Sequence, residues 1–323
     1  MGKRMSLIQV RAPGLLTTVQ DLGREGFGPL GVSPSGAADA IALRIGNRLV
    51  GNPEGTAVLE MTLLGGTFEF SEAAVVALTG SDFGATLDNV PVEMWSSMEV
   101  RAGQILGVGT TRGGARCYLC IHGGIEVKLF LGSASTHLLS GLGGFEGRAL
   151  RKGDLLRVGT AGGAFRTFRK RTLAARAREK FSPRKVLRVT TGPQSGWFPE
   201  AAQKSFYEES YRLAEESNRM GLRLEGAPIS TDSSECGGEM ISEGVSLGAV
   251  QIPASGLPII LFVEQQTTGG YPKIANVISA DLSCLGQLRP RDEVRFEQVE
   301  MDTARALFIE QEKLLASKEL VLG

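Results

Sequence analysis

Between residues 59 and 158 the sequence alternates between short apolar runs and turns that contain glycine. Runs of four or five residues are too short for stable helices and are typical of strands. Many short strands joined by tight turns indicate an antiparallel barrel or sandwich. The 43 glycines and an aromatic content of only 6% agree with this pattern, so the sequence predicts a mainly β fold with a few helices. The predicted strands cover residues 67–70, 74–78, 104–108, 118–121 and 155–158.

The second half of the chain repeats features of the first. Residues 8–13 resemble 187–193, and Glu60-Met61 resembles Glu239-Met240 at the same spacing along the chain. Residues 150–158 resemble 288–296 at a shorter spacing, as expected for a trimmed copy. Matches in a consistent order indicate two related β-rich domains. The predicted organisation is an N-terminal β-barrel subdomain at 1–165, a basic linker at 166–186, a C-terminal β-barrel subdomain at 187–300 and a C-terminal helix at 301–323.

A basic run covers residues 166–188 and contains a single acid, Glu179. Such a run is a candidate nucleic-acid surface, but no aromatic residues for base stacking are interleaved with it. We therefore interpret it as a solvated linker with a helical turn or two. Lysine plus arginine equals aspartate plus glutamate, at 35 each, so no net charge attracts the chain to nucleic acid or to a membrane surface.

A helix is expected near residue 35. Ser35 is a candidate N-cap, and apolar residues then recur at helical spacing as far as Leu49, before Gly51 and Pro53 stop the helix. Asp39 falls in the first turns of this helix, where the helix dipole stabilises a carboxylate. Either this electrostatic role or a functional one explains Asp39.

Several classes of protein are disfavoured. No apolar run reaches the ~20 residues that a membrane-spanning helix needs, and the N-terminus lacks a signal-peptide pattern, so we expect a cytoplasmic protein. Cys117 and Cys120 lie three residues apart in a predicted strand, which places them on opposite faces and argues against a zinc or redox pair. No phosphate-binding loop, GxSxG elbow, metal-ligand spacing or biotinyl-lysine sequence is present. The Ser133–His137 stretch is interpreted as a turn, since neighbours in sequence seldom form a catalytic triad.

The densest set of functional groups follows the apolar run 258–263. Residues 264–273 bring together amides, hydroxyls, a phenol and the ammonium group of Lys273, around Gly269 and Gly270. Glycines allow the backbone to turn sharply and to present its N–H groups to an anion or a carbonyl. The loop suits a small planar ligand that carries a carboxylate, amide or ureido group. An ordinary polar β-turn is the alternative interpretation.

This loop and blocks elsewhere in the chain resemble the carboxyltransferase-domain family, typified by allophanate hydrolase subunit 2, the C subunit of 5-oxoprolinase and the Kip antagonist protein. The resemblance covers about residues 8–299, with Glu264 standing where many members have aspartate. The matching blocks, in order, are TVQDLGR (18–24), GV (31–32), SGAAD (35–39), NRLVGN (47–52), LEMT (59–62), SNRMG (217–221) and QTTGGYPKI (266–274).

The resemblance implies two cyclophilin-like β-barrel subdomains and a component of a heteromeric amide-processing enzyme. Three functions are open: an ATP-hydrolysing 5-oxoprolinase that cleaves 5-oxoproline to glutamate, a biotin-dependent carboxyltransferase of the urea carboxylase type, and a regulatory binding protein like the Kip antagonist. ATP would be shared with or bound by partner subunits, and biotin would be carried on another chain. The implied partners are a protein like the 5-oxoprolinase B subunit (allophanate hydrolase subunit 1-like) and an A subunit of the LamB/YcsF-like type.

Candidate site residues follow from the loop and from the family blocks. The catalytic candidates are Lys273, Gln266 and Glu264. The substrate-binding candidates are Thr267, Thr268, Gly269, Gly270, Tyr271, Arg24, Asp39 and Asn218, and no metal ligands are expected. We expect Arg24, Asp39 and Asn218 to converge on the cleft formed by the loop.

Overall fold

The structure is a computed structural model that describes residues 6–159, 168–230 and 240–323. These residues divide into two compact units. The first unit comprises 6–24, 35–159, 168–182 and 315–323, and the second comprises 25–34, 183–230 and 240–314. The order along the chain is therefore interrupted twice, because a short early segment belongs to the second unit and the last residues belong to the first.

Short strands dominate both units. The strands in the first 182 residues are β1 (Leu7–Ala12), β2 (Leu16–Gln20), β3 (Val58–Thr62), β4 (Thr67–Phe70), β5 (Ala74–Gly80), β6 (Thr86–Leu87), β7 (Val90–Pro91), β8 (Ser97–Val100), β9 (Ile105–Gly107), β10 (Arg116–Ile121), β11 (Ile125–Glu126), β12 (Leu155–Val158) and β13 (Thr172–Leu173). The remaining strands are β14 (Val186–Thr191), β15 (Tyr211–Leu213), β16 (Gly221–Glu225), β17 (Glu243–Gly244), β18 (Ala249–Gln251), β19 (Ile259–Leu261), β20 (Thr268–Gly269), β21 (Lys273–Val277), β22 (Glu293–Gln298) and β23 (Val321–Leu322). The helices are α1 (Ala40–Val50), α2 (Ala175–Lys180), α3 (Glu200–Glu208), α4 (Leu282–Leu285) and α5 (Met301–Ala316). The prediction of a mainly β fold with a few helices is confirmed.

The first unit is built from two antiparallel sheets. One has the strand order β11-β12-β1-β4-β9-β6-β7 and the other has the order β2-β3-β10-β5-β8. Fully buried side chains from both sheets, among them Val10, Phe68, Leu78 and Leu119, belong to one hydrophobic core. The burial of this shared apolar surface is what holds the two sheets together.

Helix α1 packs against β5 and β10. Its N-cap is Asp39, whose carboxylate accepts a 2.9 Å hydrogen bond from the backbone N–H of Ala42. The predicted N-cap, Ser35, is wrong: its backbone is left-handed, with φ 56°, and its hydroxyl donates to the carbonyl of Thr136 instead. Gly51 ends the helix in the left-handed conformation that glycine tolerates.

The second unit contains a closed barrel with the strand order β14-β21-β18-β19-β16-β15-β22. Near its wall Phe206 of α3 stacks on Phe296 of β22, with ring centroids 4.4 Å apart, and Tyr211 lies 5.9 Å from Phe296. Aromatic pairs at these distances add to the stabilisation from buried area. A closed barrel leaves no unpaired sheet edge, so it provides a rigid frame for loops at its ends.

The repeat seen in sequence is visible as a matching turn in each unit. Asp154 accepts a hydrogen bond from the N–H of Arg151, and Asp292 accepts one from the N–H of Arg289. The residue before each aspartate is left-handed, Gly153 in the first turn and Arg291 in the second. The strands after the turns pair differently, because β12 runs antiparallel to β1 whereas β22 runs parallel to β14. The matching Glu239-Met240 pair lies partly outside the described residues.

Some of the basic residues that the structure describes in the 166–188 run form ion pairs. Lys170 contacts Glu93, Lys185 contacts Asp292 and Arg188 contacts Asp281, at 2.6, 2.9 and 2.5 Å. The stretch also carries α2 and β13, which pairs with β23, and the predicted boundary at 165 lies outside the described residues. Among all the residues that the structure describes, no helix has the length and apolar character needed to cross a membrane.

Candidate functional site

The loop 264–273 follows a buried strand, as the sequence predicts. Strand β19 pairs with β16 and β18 inside the barrel wall, and its last residues are buried. The chain then forms the short strand β20, which pairs with β17 so that Glu243 lies opposite Gly269. This pairing brings a carboxylate from a distant part of the sequence beside the loop.

The two glycines of the loop serve close packing. Neither Gly269 nor Gly270 has a positive φ, so a left-handed turn is not the reason for glycine at these positions. A methyl group on Gly269 would lie 2.5 Å from Nε2 of Gln251, whereas one on Gly270 would lie 3.2 Å from its nearest neighbour, the carbonyl oxygen of Met240. Gly269 is therefore the position at which the loop needs the smallest residue.

Lys273 is the first residue of β21 and is 3% exposed. Its ammonium nitrogen lies 2.6 Å from Oε1 of Glu243 and 3.5 Å from the carbonyl oxygen of Tyr271. A buried ammonium group needs a counter-charge, because removing an unpaired charge from water costs several kcal/mol. Glu243 supplies this counter-charge.

Gln194 connects the two members of this pair. Its side-chain oxygen, Oε1, accepts from the backbone N–H of Lys273 at 3.2 Å. Its side-chain nitrogen, Nε2, donates to Oε1 of Glu243 at 2.8 Å. The turn that carries Gln194 is itself fixed against β21, since Gly192 donates its N–H to the carbonyl of Ile274. A Cβ on Gly192 would lie 2.3 Å from the carbonyl oxygen of Lys273, so only glycine permits this approach.

The electrostatics of the pair keep Glu243 ionised. Hydrogen bonds from Lys273 and then from Gln194 hold the pKa of the Glu243 carboxyl below its ordinary value of 4.5. Both donors bond to the same oxygen, Oε1. The carboxyl group is also 45% exposed, so it is an ionised acceptor with access to solvent at neutral pH.

A cavity of about 530 Å³ opens beside this pair, within the second unit. Its volume is typical of small-molecule sites. The residues that line it are Gly28, Pro29, Pro193, Glu243, Gly244, Val245, Ser246, Thr267, Thr268, Lys273 and Asn276. The cavity therefore combines one cation, one anion, hydroxyl groups and an amide, a set that suits a small polar ligand with little net charge.

Three of the predicted loop residues, Thr267, Thr268 and Lys273, line this cavity. Gln266 is exposed and donates to Oε1 of Gln251 at 3.4 Å, and Tyr271 is 47% exposed.

The other predicted residues of the second unit have local structural contacts. Glu264 is 3% exposed and forms an ion pair with the buried guanidinium of Arg219. Asn218 is exposed, and its Oδ1 accepts from the backbone N–H of Met220 in a turn.

Arg24 and Asp39 belong to the first unit. The guanidinium of Arg24 is buried, donates to the carbonyl of Ser135 and lies 5.4 Å from the ring centroid of Phe130. Asp39 caps α1 and donates its backbone N–H to the hydroxyl of Tyr118. Both therefore have structural contacts in their own unit, and their convergence with the loop stays a prediction.

Sequence reasoning missed Glu243 and Gln194. Gln194 follows Gly192-Pro193, the end of a block that the internal repeat had marked, so this turn was a signal that could have directed attention to it. Glu243 had no comparable signal, because its role arises from the pairing of β17 with β20. Among the described residues, no group of three or more His, Cys, Asp or Glu side chains is arranged to hold a metal ion.

Comparison with known proteins agrees with this architecture. The family model for the carboxyltransferase domain, subdomains A and B, matches residues 30–298. The chain is 38% identical to the 5-oxoprolinase C subunit of Escherichia coli (strain K12), over 92% of this chain and 93% of that protein. It is also 38% identical to the 5-oxoprolinase C subunit of Haemophilus influenzae, over 90% of each protein.

A solved structure shows the same fold in a larger protein. The crystal structure of the urea amidolyase of K. lactis superposes with a TM-score of 0.90 at 31% identity. The superposition covers all of this chain but only 21% of that enzyme. The chain belongs to the family of carboxyltransferase domains that contain subdomains A and B.

Proposed function

We propose that this chain is the C-type component of a 5-oxoprolinase, which cleaves 5-oxoproline to glutamate together with partner subunits. The observation that carries the proposal is the 38% identity to two 5-oxoprolinase C subunits, which extends over nine-tenths of each protein. The cavity beside Lys273 supports the same proposal, because its donor and acceptor groups match a small cyclic amide.

Lys273 is the residue best placed to act on such a substrate. Its ammonium group has three N–H donors, of which one is used by Glu243. Another can donate to the carbonyl oxygen of the lactam and stabilise the negative charge that develops there when the amide bond is attacked. In a site as buried as that of Lys273, this stabilisation is stronger than in water.

The cavity is a poor match for a nucleotide triphosphate. Among the described residues that line it, Lys273 is the one cation, and its charge is already balanced by Glu243. A triphosphate needs several donors or a metal ion to offset its charge. We therefore assign ATP to the partner subunits and derive no step from it in this chain.

The partners in this proposal are a protein like the 5-oxoprolinase B subunit and an A subunit of the LamB/YcsF-like type. The described residues of the cavity offer polarising groups but no activated nucleophile, so the proposal takes the reactive group from a partner. The proposed location is the cytoplasm.

A second candidate function is transfer of CO₂ from carboxybiotin to a ureido nitrogen, with biotin carried on another chain. The superposition on the K. lactis urea amidolyase, with a TM-score of 0.90, favours it. A ureido group presents a carbonyl and N–H groups, as a lactam does, so Lys273 and Glu243 suit both ligands. The ring of biotin contains such a group, and Lys273 with Thr267 and Thr268 would hold its carbonyl oxygen.

Co-purification followed by two assays separates these functions. The chain is expressed with its proposed A- and B-type partners, and the complex is tested with 5-oxoproline and ATP. The same preparation is tested with urea and a carboxylated biotin carrier. The proposal expects glutamate release in the first assay and no carboxylation in the second, and the reverse result would replace it with the second candidate.

A further inference from the structure

The two oxygens of the Glu243 carboxylate differ in their hydrogen bonding. Oε1 accepts from the ammonium of Lys273 at 2.6 Å and from the amide of Gln194 at 2.8 Å. Oε2 has no hydrogen-bond partner among the residues that the structure describes. Because Glu243 lines the cavity and its side chain is 45% exposed, Oε2 is available to a ligand there.

We propose that Glu243 is a specificity-determining residue that accepts a hydrogen bond from a substrate N–H group through Oε2, and that Gln194 is the positioning residue that fixes this carboxylate beside Lys273. This inference rests on the proposed function and adds the substrate class to it. The site selects cyclic amides or ureido compounds that carry a free N–H group.

Lys273 and Glu243 are complementary to the carbonyl oxygen and the N–H group of an amide. The ammonium of Lys273 donates to the carbonyl oxygen, and the carboxylate of Glu243 accepts from the nitrogen. A cyclic amide holds its C=O and N–H groups on the same side of the ring, so neighbouring donor and acceptor groups can contact both at once. The 2.6 Å contact joins Nζ of Lys273 to Oε1 of Glu243, so Oε2 belongs to a carboxylate that lies directly beside the ammonium group.

Gln194 is held firmly enough to position Glu243. It is 8% exposed, its backbone N–H donates to the carbonyl of Lys273 at 3.2 Å, and its side chain accepts from the N–H of the same residue. Its amide nitrogen is therefore fixed relative to β21 rather than free to rotate. An acceptor that is fixed before binding loses less conformational entropy when the substrate arrives.

A ring analogue tests the role of Glu243. The lactone analogue of 5-oxoproline has an oxygen in place of the N–H group, so it presents an acceptor to the carboxylate. The lactone turns a ring oxygen rather than an N–H donor toward Oε2, so two acceptors face each other and the hydrogen bond is lost. For the wild-type complex, we expect the inhibition constant of the lactone to exceed the KM for 5-oxoproline at least about 100-fold.

The variant Glu243→Gln should lower the ratio of the lactone inhibition constant to the KM for 5-oxoproline. A carboxamide can turn its NH₂ group toward the lactone oxygen, so the ratio should fall below about tenfold. The substitution removes the counter-charge of Lys273 and can destabilise the protein, so thermal unfolding is used to check that the variant is folded. An unchanged ratio in a folded variant that still turns over 5-oxoproline would overturn the role of Glu243.

Gln194→Met provides a second test that leaves the Lys273–Glu243 ion pair in place. The ionised carboxylate of Glu243 is a stronger acceptor than the neutral acid, so activity should fall as the pH drops through its pKa. Loss of the Gln194 donor raises that pKa, so the acidic limb of kcat/KM should move to higher pH. Lys273 and Glu243 are the ionisable residues among the described residues that line the cavity, so the shift is assigned to this pair.

The control is Gln203→Met, which removes a comparable half-buried glutamine whose amide bonds to the carbonyl of Phe198. Its pH profile should match the wild type. An unshifted acidic limb in Gln194→Met would overturn the positioning role. Failure of the wild-type complex to turn over 5-oxoproline would instead overturn the proposed function and this inference with it, so the two failures are distinct.

Discussion

Lys273 and Glu243 form an ion pair of 2.6 Å at the edge of a cavity, with Lys273 almost fully buried and Glu243 half exposed. The asymmetry of exposure gives the two residues different tasks. Lys273 is shielded from water, so its charge acts strongly on a bound ligand. Glu243 neutralises Lys273 and still presents one oxygen to the cavity.

The loop glycines should differ in their tolerance of substitution. In Gly269→Ala the new methyl group would lie 2.5 Å from Nε2 of Gln251, so the loop or the glutamine must move. In Gly270→Ala the nearest atom is 3.2 Å away, which needs only a small adjustment. We expect Gly269→Ala to lower turnover at least about tenfold and to cost about 1–3 kcal/mol of stability, with milder effects for Gly270→Ala.

Steady-state kinetics of the complex and urea unfolding of the two variants measure this difference. Equal behaviour of the two alanine variants would contradict the packing role assigned to Gly269.

Gly46 should be required for the packing of α1. A Cβ at this position would lie 2.3 Å from Sγ of Cys120, on the face of β10 opposite Cys117. Gly46→Ala gains about 1 kcal/mol in helix propensity, but overpacking costs about 1–3 kcal/mol, so we expect net destabilisation. A double-mutant cycle with Cys120→Ala checks the cause: the cost of Gly46→Ala should fall by at least about 0.5 kcal/mol in that background. Additive effects would show that Cys120 is not the obstacle.

The turn at Asp154 should contribute stability that depends on pH. A hydrogen bond from Arg148 holds the pKa of the Asp154 carboxyl below its ordinary value of 3.8. A depressed folded-state pKa means that the stabilisation is present above pH 3.8 and is lost as the pH falls through the folded-state pKa. Asp154→Asn should therefore lower the free energy of unfolding at pH 7 by about 1–3 kcal/mol and by less near pH 3. Urea unfolding at the two pH values measures this, and an equal loss at both would refute it.

The isolated chain should not turn over 5-oxoproline. The described residues that line the cavity can orient and polarise a ligand, but they include no activated nucleophile and no metal ligand set. We expect a persistent complex with the B-type partner, through an interface of about 2,000 Å² or more that is mostly apolar. Glutamate release measured with and without the partner tests the requirement, and full activity of the chain alone would contradict it.

Local patterns in the sequence were sufficient to predict many strands. The run 67–70 coincides with β4 and the run 155–158 with β12, because short apolar stretches between glycine turns have few alternatives to a strand. Strand β2 carries no such local signal. Its residues Thr17, Thr18 and Gln20 are polar yet buried, and their side chains form hydrogen bonds, so no alternation of apolar residues marks the strand.

The candidate site was predictable only where its residues are adjacent in sequence. Lys273, Thr267 and Thr268 lie in one loop and were found there. Glu243 and Gln194 reach the site through strand pairing and through a turn that packs on β21, which are long-range contacts. Local chemistry also favoured Glu264 as a catalytic group, but the structure shows this carboxylate in a buried ion pair with Arg219.

The central claim is that Lys273 stabilises the developing negative charge on the amide substrate. The most direct measurement compares glutamate release from 5-oxoproline and ATP by complexes that contain wild type, Lys273→Met or Lys204→Met. Lys204 is an exposed lysine of α3 that pairs with Glu208, so it controls for loss of a lysine charge. The account predicts that Lys273→Met lowers kcat by about 10²–10³-fold while Lys204→Met has wild-type activity. Turnover by Lys273→Met within about twofold of wild type would contradict it.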